Sequence, residues 1–262
     1  MAERTLRVGA LYPDLLNIYA DRGNLLLLER RCAWRGIGFE LRGIGLGEAL
    51  DPDAHDLLYI GGGQDRDQAL CARDMVDTKQ EALHAAADRG AVIFAVCGGY
   101  QLLGHGYALG SERLPGVGLV DLETVREDGP RLIGNVAIEL EGSDPPRRNG
   151  SYPSSPGGSD PFVLAGFENH GGRTRLGPGA QPLGRVLRGH GNDGRSGYEG
   201  VRGGPRGTVV GTYLHGPLLP KNAHFADWLT ATALGVEPSA LPALDDELES
   251  EAHAAARRAA GI

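Results

Sequence analysis

Residues Ala91–Val96 (AVIFAV) form an unbroken apolar run that ends at Cys97 and passes at once into Gly98-Gly99-Tyr100-Gln101-Leu102-Leu103-Gly104. A run with β-branched members and no polar alternation predicts a strand buried on both faces. Two glycines directly behind it predict a sharp turn that opens a helix. A strand of this kind is covered only in a sheet with helices on both sides. The expected class is therefore α/β: a doubly wound, mostly parallel, flavodoxin-like sheet with flanking helices.

The rest of the chain fits that frame. Leu6–Leu11, Ile37–Leu41 and Asp56–Ile60 read as further strands, the last running into Gly61-Gly62-Gly63. Asn24–Trp34 carries leucines on most faces and reads as a buried helix, and residues 64–90 read as helical. The second half is less regular. Arg131–Leu140, Phe162–Phe167 and Thr208–Leu214 read as strands, and Lys221–Leu234 as a helix. Residues 141–161 are dense in Pro, Gly and Ser and read as a mobile surface loop within a domain spanning 1–240. Residues 241–262 read as a helical tail, acidic early and basic late, as a helix dipole favours.

Composition excludes several classes. The chain has 262 residues and a formal net charge of -8, so no basic excess exists to neutralise a nucleic-acid backbone. Its longest apolar runs, Leu25–Leu28 and Ala91–Cys97, fall far short of a membrane span. No signal peptide is read at the N-terminus, and a cytoplasmic location is expected. Three cysteines, Cys32, Cys71 and Cys97, lack paired spacing, which suggests reduced thiols and no metal site.

Cys97 is the candidate nucleophile. A buried strand that ends in a sharp turn projects its last side chain above the sheet, and a helix N-terminus aimed at a sulfur lowers its pKa. The backbone N–H after the nucleophile, that of Gly98, can then face a developing oxyanion, and the glycine run can present a second backbone N–H; taken alone, a plain tight turn is at least as good a reading of that run. The run is no P-loop, because no Lys-Ser/Thr pair follows it. Cys32, inside a leucine-rich helix, reads as inert core, and Cys71 lies on a polar helical stretch. Among eight histidines, His215 is the best placed base: it follows a strand that Gly216-Pro217 ends sharply. His170, in Phe167-Glu168-Asn169-His170-Gly171-Gly172, also follows a strand and is a lesser candidate for touching the site. Gln101, one turn along the elbow helix, is a candidate substrate contact, with a structural or solvent-facing role left open.

Together these pieces resemble the class I glutamine amidotransferases. The Cys97 elbow and Gly-Thr-Tyr-Leu-His215-Gly resemble the cobyric acid synthase-like branch. Three segments narrow this further: the stretch from Tyr12 to Asn24, Gly61-Gly62-Gly63-Gln64-Asp65, and Arg131-Leu132-Ile133-Gly134-Asn135. These are similar to the GatD-type glutaminase subunits of lipid II isoglutaminyl synthase, as is Phe167–Gly172. The resemblance covers about residues 6 to 234.

The resemblance implies that the Cys97 thiolate attacks the side-chain amide of L-glutamine, with backbone N–H groups near Gly62 and Gly98 holding the oxyanion, His215 as acid and base and Arg131 binding the substrate. Without the resemblance, Arg131 reads as a solvated strand-end arginine. No metal or cofactor is implied for this chain. Ammonia would pass to a Mur-ligase-like synthetase subunit, which uses ATP to amidate D-glutamate in the lipid II stem peptide to D-isoglutamine. Most class I amidotransferases carry an acid two residues after the histidine; here that position is Pro217, which has no acceptor side chain. The family suggests that the partner of a heterodimer supplies an aspartate instead. Other readings are a glutaminase serving another synthase of the cobyrinate-amidating kind, a cysteine hydrolase of a different specificity, and a non-catalytic scaffold.

Overall fold

The computed structural model describes residues 4–17, 22–141 and 162–262. The expected mobile loop at 141–161 lies outside the described residues, save Glu141. Strand β1 (Thr5–Leu11) leads to helix α1 (Arg22–Trp34), β2 (Gly38–Ile44) and β3 (Leu57–Ile60). Helices α2 (Asp65–Asp74) and α3 (Gln80–Arg89) are joined by a π turn at Met75–Lys79, and β4 (Val92–Val96) and α4 (Gly98–Leu102) follow. Next come β5 (Gly106–Leu109), β6 (Glu112–Pro115), β7 (Leu122–Arg126), β8 (Leu132–Leu140), β9 (Val163–His170) and β10 (Gly172–Leu176). Then β11 (Gly184–Arg188), β12 (Tyr198–Glu199), β13 (Val201–Gly203) and β14 (Val209–Thr212) precede α5 (Ala223–Ala233) and α6 (Glu247–Ala260).

Among the described residues the main sheet runs β13-β14-β4-β3-β1-β2. All its pairings are parallel except β13 with β14 at one edge. Every residue of β3 and β4 is buried, as two covered faces require. The core is continuous from these strands into Leu28, Met75, Leu83, Tyr100, Leu214 and Phe225 of the surrounding elements. Gly90 ends α3 at φ 98, and its N–H reaches the carbonyls of Ala86 and Ala87, a left-handed cap that glycine adopts at little cost.

Several expectations are corrected. The long helical stretch is broken by the π turn, where the buried Lys79 ammonium pairs with the Asp74 carboxylate. Asp74 also accepts the Tyr12 hydroxyl at 2.8 Å. Helix α1 is buried on one face only, through Asn24, Leu25, Leu28, Arg31 and Cys32, while Leu26 and Trp34 are exposed. Cys71, read as lying on a polar stretch, is fully buried. Two further four-stranded sheets, β10-β7-β5-β6 and β12-β11-β8-β9, occupy the half that read as irregular.

Helix α6 docks through Ala256 and Ala260, packed on Ala137, Val163 and Ala165, and through polar groups. The His253 ring N–H (Nδ1) donates to the Lys221 carbonyl at 2.9 Å. Its ring packs edge-on to His224, centroids 5.1 Å apart. Just before the helix, Asp246 accepts two bonds from the buried Arg31 guanidinium, which also grips Asp227.

Candidate active site

The elbow forms as the sequence predicts, and it is strained. Cys97 holds φ 51 and ψ -106, one of two non-glycine residues with positive φ among the described residues, the other being Tyr12. An L-residue persists there only where its surroundings over-determine it. The Cys97 N–H donates to the Thr212 carbonyl at 2.8 Å, and the Cys97 carbonyl accepts from Gln101 N at 3.0 Å. Its side chain is 7% exposed and faces a cavity. Helix α4 has only five residues, so it supplies little more than one turn of dipole.

The glycine run after β3 lies directly against this elbow. Gly99 N donates to the Gly61 carbonyl at 3.1 Å. A Cβ on Gly99 would stand 2.7 Å from the Ile60 carbonyl oxygen and 2.9 Å from that of Gly61, so nothing larger fits. A Cβ on Gly98 would stand 3.1 Å from Gly63 N. Gly62 and Gly98, the expected oxyanion donors, are both buried where the two turns meet.

His215 arrives on the neighbouring strand. β14 pairs with β4 in parallel, Thr212 opposite Val96, so both chains leave the sheet at the same end. His215 is buried, and its backbone exchanges bonds with Phe167 of β9 at 2.7 and 3.2 Å. A carboxylate that sequence reasoning missed braces this exit. Glu199, fully buried, accepts the Thr212 hydroxyl at 2.5 Å and the Tyr213 N–H at 2.8 Å, and also bonds Gly200 N. Burial raises its carboxyl to about 7. No local pattern announced Glu199, because its partners lie 13 and 14 residues on.

The cavity above Cys97 measures about 360 Å³ and is lined by Gly63, Gln64, Asp65, Arg66, Gln68, Gln101, Tyr107, Arg126, Arg131, His170 and Gly171. Cys97, Arg131 and Gln101 are thus brought to one space. Arg131 donates from Nε to the Asn169 side-chain oxygen at 2.8 Å and from Nη2 to the Asn169 carbonyl at 2.7 Å. That grip fixes a guanidinium that otherwise stands exposed.

Gln101 is buried, and its amide is already engaged. It accepts from Gln68 Nε2 at 2.7 Å and donates to the Tyr213 hydroxyl at 3.0 Å. Tyr213 continues to Thr174 at 2.7 Å, and Thr174 to Thr124 at 2.8 Å. Gln101 thereby ties α4 and α2 to the segment that leads to His215.

His170 reaches the cavity wall. Its ring stacks on Tyr213 at 3.6 Å with a 4° tilt, and Nδ1–H donates to the Gly172 carbonyl at 2.9 Å. Burial lowers its pKa, partly offset by Glu168, whose carboxylate lies 3.9 Å from Nε2. Cys32, like Cys71, stays away from this site in the core, and burial pushes the Cys32 thiol up to about 11. Asp65, Arg66, Gln68, Tyr107 and Arg126 were not foreseen as lining residues. Only Asp65 carried a signal, by following the glycine run.

Residues 7–223 match the family model of the CobB/CobQ-like glutamine amidotransferase domain. Two relatives share the name lipid II isoglutaminyl synthase (glutamine-hydrolyzing) subunit GatD. The protein from Streptococcus pneumoniae (strain ATCC BAA-255 / R6) is 34% identical, with 94% of this chain and 88% of the relative aligned. The protein from Staphylococcus aureus (strain N315) is 36% identical, over 94% and 90%. A solved chain from the structure of PurLQS from Thermotoga maritima superposes with a TM-score of 0.55 at 19% identity, covering 95% of this chain and 98% of that one. That likeness shows the fold.

Proposed function

The chain belongs to the CobB/CobQ-like glutamine amidotransferase family, and from that premise we propose that it hydrolyses L-glutamine as the GatD-type subunit of a lipid II isoglutaminyl synthase. The observation that carries the reading is the strained Cys97 elbow, opening on a cavity that Arg131 also lines.

The Cys97 sulfur attacks the side-chain amide carbon of glutamine, and the carbonyl oxygen becomes an oxyanion held by backbone N–H groups at Gly62 and Gly98. Protonated His215 gives its proton to the amide nitrogen, the C–N bond breaks, and ammonia leaves behind a thioester. Neutral His215 then takes a proton from water as the water attacks the thioester, and glutamate departs with the thiol restored. Arg131 holds the substrate carboxylate through its guanidinium. Gln101, first a candidate for touching substrate, acts as wall, because its amide is bound to Gln68 and Tyr213.

Ammonia passes to a Mur-ligase-like synthetase subunit that spends ATP on the α-carboxyl of D-glutamate in the lipid II stem peptide, in the cytoplasm. This chain itself holds no metal or nucleotide. Two points support the partner: the relatives are named as subunits, and Pro217 stands where the family places an orienting acid. The test is glutamate release from L-glutamine by the wild type and by Cys97→Ala, together with identification of the chain that co-purifies. A wild type that releases no glutamate, alone or with that chain, would remove the reading.

A further inference from the structure

We propose that Asp65 is the specificity-determining residue that accepts the α-ammonium group of the substrate, and that Arg126 is its counterion in the empty site. The proposal rests on the glutaminase reading.

Glutamine carries a carboxylate and an ammonium on one carbon, three C–C bonds from the amide carbon. With the amide carbon at Cys97, both charges must lie in the same cavity. An ammonium taken out of water needs acceptors, and an anionic one serves it best. The charged side chains among the described lining residues are Arg66, Arg126, Arg131 and Asp65. Three of these repel an ammonium, and Asp65 is the one carboxylate. The neutral candidates are less suited: the Gln101 side-chain oxygen already accepts from Gln68.

Asp65 is also well placed to exchange partners. It is the first residue of α2, a ten-residue helix, where the exposed backbone N–H groups favour a carboxylate. Its present partner is the Arg126 guanidinium at 3.5 Å, and both groups are well exposed. A pair this long and this wet contributes little, so an arriving ammonium displaces it at small cost. The guanidinium also lies close enough to Gly171 that a Cβ there would stand 2.8 Å from Cζ. Arg126 thus stands beside both Gly171 and Asp65, two residues that line the cavity with it.

The test compares binding of L-glutamine and of 5-amino-5-oxopentanoate, which is glutamine without its α-amino group. Calorimetry on the full chain carrying Cys97→Ala removes turnover. The parent should prefer glutamine by about 100-fold, a preference set by one charge-assisted contact. Adding Asp65→Asn should cut that preference at least ~10-fold, by weakening glutamine and leaving the deaminated compound unchanged. Adding Arg126→Gln should keep the preference.

An Asp65→Asn chain with the parent's preference would overturn the assignment, as would equal losses for both compounds. If glutamine binds and is hydrolysed while the preference ignores Asp65, only this proposal falls. If the parent binds no glutamine and the wild type releases no glutamate, the glutaminase reading falls and takes the Asp65 assignment with it.

Discussion

The backbone N–H of Cys97 is hydrogen-bonded to the carbonyl of Thr212 at 2.8 Å. One bond therefore joins the residue at the elbow to the strand that carries His215 three residues later. Glu199 grips that strand from the other side at Thr212 and Tyr213. The elbow and the backbone leading to His215 are thus held together by the strand ladder and a buried carboxylate.

The strain at Cys97 predicts a split between stability and activity. Cys97→Gly removes the Cβ that makes φ 51 unfavourable, and relief of such strain is worth about 1–3 kcal/mol. The glycine also gains unfolded-state entropy, which costs about 0.5–1 kcal/mol. Urea unfolding should therefore find Cys97→Gly at least as stable as the wild type, with glutamate release at background. A loss above ~2 kcal/mol, as for an ordinary core truncation, would show that the elbow stores no strain.

Arg131 gives a different signature. Asn169 holds its guanidinium through Nε and Nη2, and lysine cannot reproduce that fork. Arg131→Lys should raise the KM for glutamine about 10-fold to 100-fold, the scale of a lost charge-assisted bond. kcat should fall much less. Steady-state kinetics that show an unchanged KM would release Arg131 from substrate binding.

The parts of this site differ in how far the sequence revealed them. The elbow was legible because strand burial, turn and helix start all fall within residues 91–104. His215 was legible because Gly216-Pro217 marks the strand end beside it. The two smaller sheets were not. β10 pairs with β7, and β11 with β8, across 40 residues or more, and such pairing leaves no local period. Arg126 in the cavity wall and Glu199 behind β14 were hidden for the same reason, since contacts between distant strands follow no spacing rule. α1 misled because its leucines suggested burial all round, whereas tertiary contacts cover one face only.

The pH dependence of stability should turn on two buried groups, His224 at the joint under α6 and Glu199 beside β14. His224 is buried, and burial, reinforced by the nearby His253, lowers its pKa from 6.5 to about 3. A base with a depressed folded pKa binds fewer protons in the native state than in the unfolded one. Its contribution to stability is then complete above pH 6.5 and is lost as pH falls from 6.5 toward 3. Glu199 works with the opposite sign: its carboxyl is raised from 4.5 to about 7, so its contribution is complete below 4.5 and lost as pH rises through 7. As pH falls from 7 to 4, the His224 loss of about 3 kcal/mol opposes a Glu199 gain of similar size, so this pair leaves the melting temperature nearly level. His224→Gln should remove the loss and so gain about 3 kcal/mol on the wild type across that range. A parallel slope in the variant would assign the loss to other groups.

The last prediction concerns Pro217. An imidazole that must first donate and then accept a proton works best when a fixed acceptor orients it. Pro217, where the family places that acid, has no acceptor side chain, and the proposed synthetase subunit is the expected source of an aspartate in its stead. On that proposal the isolated chain should release glutamate slowly, and adding the subunit should raise kcat with little change in KM. Loss of such an orienting acid costs up to about 10⁴-fold in the best-studied hydrolase triad. Activation of about 10-fold or more is expected when the co-purified subunit is added to Cys97-competent chain at saturating glutamine. Replacing Pro217 with Glu or Asp would narrow that gap only if the new acid reached the imidazole, so it separates orientation from other effects of docking. Equal rates with and without the subunit would mean that the Cys97–His215 pair is already complete within this chain.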